Sequence, residues 1–348
     1  MEVHRSRFVA RPAYGINALA FSHSDPYALK SDPTSLKLAV GRSNGDIEIW
    51  TTGKGDWVQE TVFHGGKDRS VEGLAWIQNP DEEGRDGKRI PGQLRLFSIG
   101  YSSSVTEWNL ATGLPSNQAS GISSEVWCLA AQPRSKDYQI QKGVNSSHGT
   151  QSLVVGCADG TIVELSTDDN ELRYNKTIGR NTEKKARVLS ITWQDRKRVV
   201  AGYADSSIRI FDVVKGTMIR SISLGAAPAG APKETLVWTV KCLPSGDIVS
   251  GDSLGEIRIY DGKQYAQTNR VKAHDADVLA LAVHGSTIWS AGMDRRTMMF
   301  KLKGTGGKQR LLRHSVHTHH EHDVKAMATF ESNQIRYYSY IEFACWIC

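Results

Sequence analysis

Leu153-Val154-Val155-Gly156-Cys157-Ala158-Asp159-Gly160-Thr161-Ile162-Val163-Glu164-Leu165 decides the fold, because two short apolar runs flank a turn of small residues. Asp159-Gly160, like Asn44-Gly45, is a dipeptide favoured in tight hairpins, and a type I′ turn, with positive φ at both central residues, is expected at both. The same strand-turn-strand unit recurs at residues 38–50, 96–108, 199–211, 248–260 and 288–300. Asp205-Ser206 and Asp294-Arg295 hold the turn register with poorer turn chemistry. Each copy keeps one glycine in place: Gly41, Gly100, Gly156, Gly202, Gly251 and Gly292. A further apolar strand precedes each copy, at residues 16–21, 71–76, 126–131, 188–193, 237–243 and 278–283.

Six registered copies imply an all-β fold built of repeated sheets. One four-stranded sheet cannot bury both faces, whereas sheets stacked round an axis cover each other, which is the β-propeller solution. The glycines lie 41 to 59 residues apart, against roughly 40–45 for one blade of a WD repeat. The surplus falls in polar segments rich in Pro, Gly and charge, at residues 79–93, 132–151 and 225–233, which read as solvated loops.

The pattern is similar to the WD-repeat family in degenerate form. Phe211-Asp212 and Tyr260-Asp261 stand where Trp-Asp is expected, while Trp50, Trp108, Leu165 and Phe300 lack the aspartate. His64, His274 and His320 stand ahead of first-half strands, where the family histidine bonds the turn aspartate. Residues 324–330 (VKAMATF) read as the opening strand of a seventh blade, but no glycine turn follows. The expected architecture is a WD40 β-propeller over residues 1–333, with six recognisable blades plus an incomplete seventh. Residues 334–348 are expected to be a tail outside the family sequence.

The chain has 348 residues, 39% of them hydrophobic, and a net charge of +6. It shows neither a signal-peptide pattern nor the ~18 uninterrupted apolar residues of a membrane span, so a soluble chain made in the cytosol is expected. Its five cysteines are an odd number without framework spacing and read as reduced thiols. Cys345 and Cys348 form a lone C-x-x-C without the second pair that a four-ligand zinc site needs.

Catalytic motifs are weak. Gly251-Asp252-Ser253-Leu254-Gly255 matches G-x-S-x-G, but that elbow needs a strand turning into a helix, and Ser253 aligns with Ala158 and Ala204 of other repeats. P-loop, dinucleotide and H-E-x-x-H patterns are missing. His314, His317, His319, His320 and His322 crowd one connection, which reads as a solvated loop with one structural histidine. The expectation is a non-enzyme with no catalytic residue, no cofactor and no metal. Basic groups are the remaining candidates, because Lys and Arg can hold RNA phosphates. They are Lys184, Lys185 and Arg187, then Arg196, Lys197 and Arg198, then Lys308, Arg310 and Arg313 along the sixth-blade exit with Lys301 and Lys303. The first two groups flank one strand and fall roughly 20 Å apart. The competing reading is a charged surface that keeps the protein soluble.

Val3-His4-Arg5-Ser6-Arg7-Phe8, followed by residues 16–21 and by Leu38-Ala39-Val40-Gly41-Arg42 to Trp50, resembles the start of the cirhin family. Residues 96–100, 126–130 and 155–160 agree, and the resemblance covers residues 3 to about 330. It implies a nucleolar scaffold of the small-subunit processome that assembles with the protein subunits of the UtpA (t-UTP) complex on the 5′ external spacer of pre-rRNA. Roles in small-subunit rRNA processing and rRNA transcription follow from it, with no membrane and no small-molecule substrate. The family carries two tandem propellers, and this chain has room for one. Residues 3–9 (VHRSRFV) alternate as a ring-closing strand would; a flexible basic tail is the competing reading. A general WD-repeat adaptor, such as a ubiquitin-ligase substrate receptor or a chromatin reader, is the alternative function.

Overall fold

The computed structural model describes residues 14–22, 36–52, 57–66, 69–80, 82–83, 86, 89–134, 150–179, 185–226, 228–230, 232–304 and 309–330. Six four-stranded antiparallel sheets follow one another along the chain and stand as the blades of a β-propeller. Their innermost strands are Ile16–Phe21, Gly73–Gln78, Val126–Ala131, Val188–Trp193, Thr239–Cys242 and Val278–His284, each packed beside the next. The middle strands are buried on both faces, as all five residues of Leu153–Cys157 show, because each sheet is covered by the blade before and the blade after. Outermost strands such as Thr217–Ser223 and Gln267–Lys272 are largely exposed.

Apolar side chains from adjacent blades fill the seams. Between blades two and three, Ile77, Phe97 and Ile99 meet Val126, Leu153, Val155 and Leu165. Between blades three and four, Val154 and Ile162 meet Val188, Val199 and Phe211. The register glycine is what allows such close approach. A Cβ on Gly156 would lie 2.4 Å from Cγ1 of Val188 and 2.7 Å from Sγ of Cys128. Gly41, Gly202 and Gly251 face Val71, Val237 and Val278 of the following blade in the same way.

The turns differ from the expected type I′ form. Only the second residue of each dipeptide has positive φ: Gly45 at 92° and Gly160 at 87°. Arg42 N–H donates to Asp46 O at 2.9 Å and Gly45 N–H to Arg42 O at 3.1 Å. Three residues therefore lie between the closing pair, and such a loop needs just its last residue in the left-handed region. Ser206 at 64° and Arg295 at 62° accept that conformation in the blades without glycine there.

The joint from blade six to blade one departs further from expectation. Residues 324–330 are not a strand, and the described residues include no seventh blade. Val324 N–H donates to Gly292 O at 3.2 Å, while Val324 and Met327 pack on Ala291. Thr329 reaches Val283 O through its hydroxyl, at 2.9 Å, rather than through its main chain. The Phe330 ring lies 5.6 Å from that of Phe21 in blade one. The segment bridges the two blades without the ladder of main-chain pairing that defines a strand. The ring-closing stretch expected at residues 3–9 and the tail expected at 334–348 lie outside the described residues.

Within the insertion at residues 79–93 a short strand pair is formed. Asn79 N–H donates to Gln93 O at 2.9 Å, and Glu82–Glu83 pairs with Arg89–Ile90.

Candidate nucleic-acid interface

The basic candidates separate into three places. Lys185 and Arg187 are exposed just before the inner strand Val188–Trp193 of blade four. Arg196, Lys197 and Arg198 lie at its far end, leading into Arg198–Tyr203. Arg310 and Arg313 are exposed on the outermost strand of blade six, Arg310–His317. Lys184 and Lys308 lie outside the described residues.

At the middle place the guanidinium groups already have protein partners. Asp195 Oδ1 accepts the N–H groups of Lys197 and Arg198 at 2.7 and 2.8 Å, and its Oδ2 accepts Arg198 Nε at 2.7 Å. Burial pushes the Asp195 carboxyl up, but these bonds outweigh it and hold the group below its ordinary range. Arg198 Nη1 also donates to Tyr265 Oη at 3.1 Å, and that hydroxyl donates to Gln194 Oε1 at 3.2 Å. Arg196 donates to the carbonyls of Pro133 and Thr150. Two of the three cations thus fasten chain from blades three and five onto blade four; Lys197 is the exposed one.

Around Arg187 the arrangement is different. In blades one, three, four and six the pairing shifts by one residue just inside the inner strand, leaving Asn17, Trp127, Leu189 and Leu279 unmatched. A bulge of this kind re-aims the extra side chain. Trp127, re-aimed in this way, lies under Arg187, whose guanidinium carbon is 3.8 Å from the indole centroid. The Tyr101 ring is 4.7 Å from that indole, tilted by 53°. Tyr101 Oη hydrogen-bonds the Glu72 carboxylate, which also accepts Asn17 Nδ2 at 2.9 Å. Burial and Glu72 push the Tyr101 phenol up to about 12, so it stays a donor at neutral pH. An arc of contacts thereby joins four successive blades. Reading the sequence for charge found Arg187 but missed Tyr101 and Trp127. The available signal was the second position of the inner strands, where the aligned repeats put Asn17, Trp127 and Leu189.

The other motifs resolve into blade architecture. Ser253 lies in the hairpin between Ile248–Gly251 and Glu256–Tyr260, with its Oγ accepting Leu236 N–H at 2.9 Å. No helix follows it, so the strained elbow is not formed. His274 donates from Nδ1 to Asp294 at 2.9 Å and accepts the Ser290 hydroxyl at Nε2, 2.7 Å away. Ser290 has no exposed surface, so this Ser-His-Asp set is shut off from any substrate. His64 meets Asp46 at 3.2 Å, as the repeat pattern anticipates. His320 is buried, while His314, His319 and His322 are exposed. Among the described residues no group of three or more His, Cys, Asp or Glu is placed to hold a metal ion, and no helix is long and apolar enough to cross a membrane.

No family model matches the chain. Curated relatives do. The chain is 35% identical over 341 residues to U3 small nucleolar RNA-associated protein 4 of Schizosaccharomyces pombe, covering 96% of this chain and 43% of the relative. It is 38% identical over 342 residues to the protein of the same name in Saccharomyces cerevisiae, covering 95% of this chain and 40% of that one. The human homolog is 26% identical over 336 residues, covering 94% of this chain and 42% of the relative. The chain therefore spans less than half the length of these relatives.

Proposed function

From its homology with U3 small nucleolar RNA-associated protein 4 along nearly its whole length, we propose that this chain belongs to that family and serves ribosome biogenesis as a non-catalytic nucleolar scaffold. Its partners are the protein subunits of the UtpA complex, and its RNA is the 5′ external spacer of pre-rRNA, in small-subunit rRNA processing and rRNA transcription. The observation that carries this is 35–38% identity over 95–96% of the chain with the two yeast proteins, whose names tie them to a nucleolar RNA. The blades supply what a scaffold needs: a rigid ring whose rims and outer strands can each hold a different partner. The buried Ser290 and the hairpin around Ser253 favour a structural role over hydrolysis.

The test is purification of the tagged chain from growing cells after ultraviolet crosslinking, with sequencing of bound RNA and identification of bound proteins. Spacer fragments of pre-rRNA with UtpA subunits are expected. Recovery of ubiquitin-ligase subunits or histones without pre-rRNA would overturn the reading in favour of a general adaptor.

A further inference from the structure

Resting on the reading that this chain contacts RNA, we propose that Arg187, laid on Trp127 and bordered by Tyr101, is a stacking site for one unpaired base of single-stranded RNA.

The first argument is orientation. A guanidinium carbon 3.8 Å from the indole centroid sets the planar cation over the ring face at stacking distance. The side chain is exposed, so a ligand can reach it. Guanidinium planes and aromatic rings are the surfaces on which proteins stack splayed-out bases.

The second argument is availability. Arg196 and Arg198 spend their donors on protein acceptors, whereas Arg187 makes no side-chain hydrogen bond or ion pair with the described residues. Its N–H groups are left for a base edge or a phosphate. Lys185, two residues earlier and exposed, can meet the neighbouring phosphate.

The third argument is that the platform is held. Tyr101 is fixed by Glu72, itself fixed by Asn17, and its backbone sits at φ 47°, a conformation that costs a non-glycine residue free energy. The indole N–H of Trp127 is buried without an acceptor among the described residues. Trp238, at the same repeat position in blade five, gives its N–H to Asp277 at 2.7 Å. Strain and an unsatisfied donor thus coincide at this platform. Glu72 and the exposed Glu125 stand close by and weaken the pull on phosphate. Stacking, not charge, therefore dominates here.

The experiment uses the full chain and fluorescence anisotropy with labelled single-stranded oligoadenylate and with an RNA duplex. Arg187→Ala should weaken single-strand binding roughly 5- to 150-fold, the range for stacking one base. Arg187→Lys should lose nearly as much, since it keeps the charge but not the plane. Wild-type affinity in Arg187→Lys, or equal losses on the duplex, would mean a phosphate contact and overturn the proposal. It would also fall if a polyglutamate peptide bound the parent but not Arg187→Ala, which points to an acidic protein partner. Failure of the parent chain to bind any RNA strikes the proposed function as well. Unchanged binding by Arg187→Ala beside a parent that binds strikes the stacking site alone. Matching thermal midpoints of parent and variants, measured first, exclude unfolding as the cause.

Discussion

Between blades two and three, two sheets face each other across Phe97, Val126, Leu153 and Val155, none with any exposed surface. Between blades six and one, the described contact is a single segment that touches Ala291 on one side and Phe21 on the other. The difference is one of how widely burial is shared. A sheet-on-sheet seam shares its burial among many side chains on fixed pairing, so a defect anywhere is felt throughout. Among the described residues, the bridging segment is held by one main-chain bond, one threonine hydroxyl and a few apolar contacts.

The largest test of that contrast is Phe97→Ala. It opens a void between two sheets that cannot collapse, and should cost about 3–5 kcal/mol in denaturant unfolding. A loss near 1 kcal/mol would mean that the seam is plastic and the contrast unfounded. A matched pair sharpens the comparison: Val188 and Val324 are equally buried, at 0% and 1% exposure. Val188→Ala removes the side chain that fills the space over Gly156 and should cost roughly 1 kcal/mol more than Val324→Ala, whose lighter surroundings can close in. Hydrogen exchange should also show the Val324 amide opening locally, well below the global unfolding free energy, in contrast with the Val188 amide. Equal costs and equal protection would erase the distinction.

The smallest effect comes from pH. Glu256 is ion-paired with Arg258 and Arg270, and Arg258 also donates to Leu224 O, which ties blade five to blade four. Burial pushes the Glu256 carboxyl up, but the two arginines outweigh it and leave it below its ordinary 4.5. A depressed folded value means that the stabilisation is full above 4.5 and is lost as pH falls through the folded value. Acid should therefore weaken this sheet-on-sheet seam slightly and narrow its advantage over the bridge. Glu256→Gln should flatten that part of the stability profile; an unchanged slope would remove Glu256 from the account.

The repeat was legible because its cause is local. Apolar alternation marks the inner and middle strands, and the glycines mark where a neighbouring valine comes too close for a Cβ. The outermost strands were not quoted from the sequence because an edge needs no apolar pattern; Thr217–Ser223 has only one residue that is not exposed. Residues 324–330 carry a strand's alternation, but among the described residues no strand pairs with them, and alternation alone does not report whether a neighbour is in place. Charge alone could not rank the basic residues, since Arg198 and Arg187 look alike until Asp195 and Trp127 are placed beside them. The aromatic arc was hidden for the same reason, being assembled from four blades and dependent on a bulge.

The contact between Phe21 and Phe330 has a consequence for how the chain folds as it is made. Every sheet-on-sheet seam joins neighbours in sequence and can form once its second blade is complete, like courses laid one on another. Meeting ends that lie some three hundred residues apart adds little entropic cost in itself, since loop closure grows only with the logarithm of length. What delays that meeting is order, because all the intervening courses must stand before the two rings can touch. The last joint is set by the work of the earlier ones, and a chain halted at any stage before it carries an unfinished end rather than a misfolded middle.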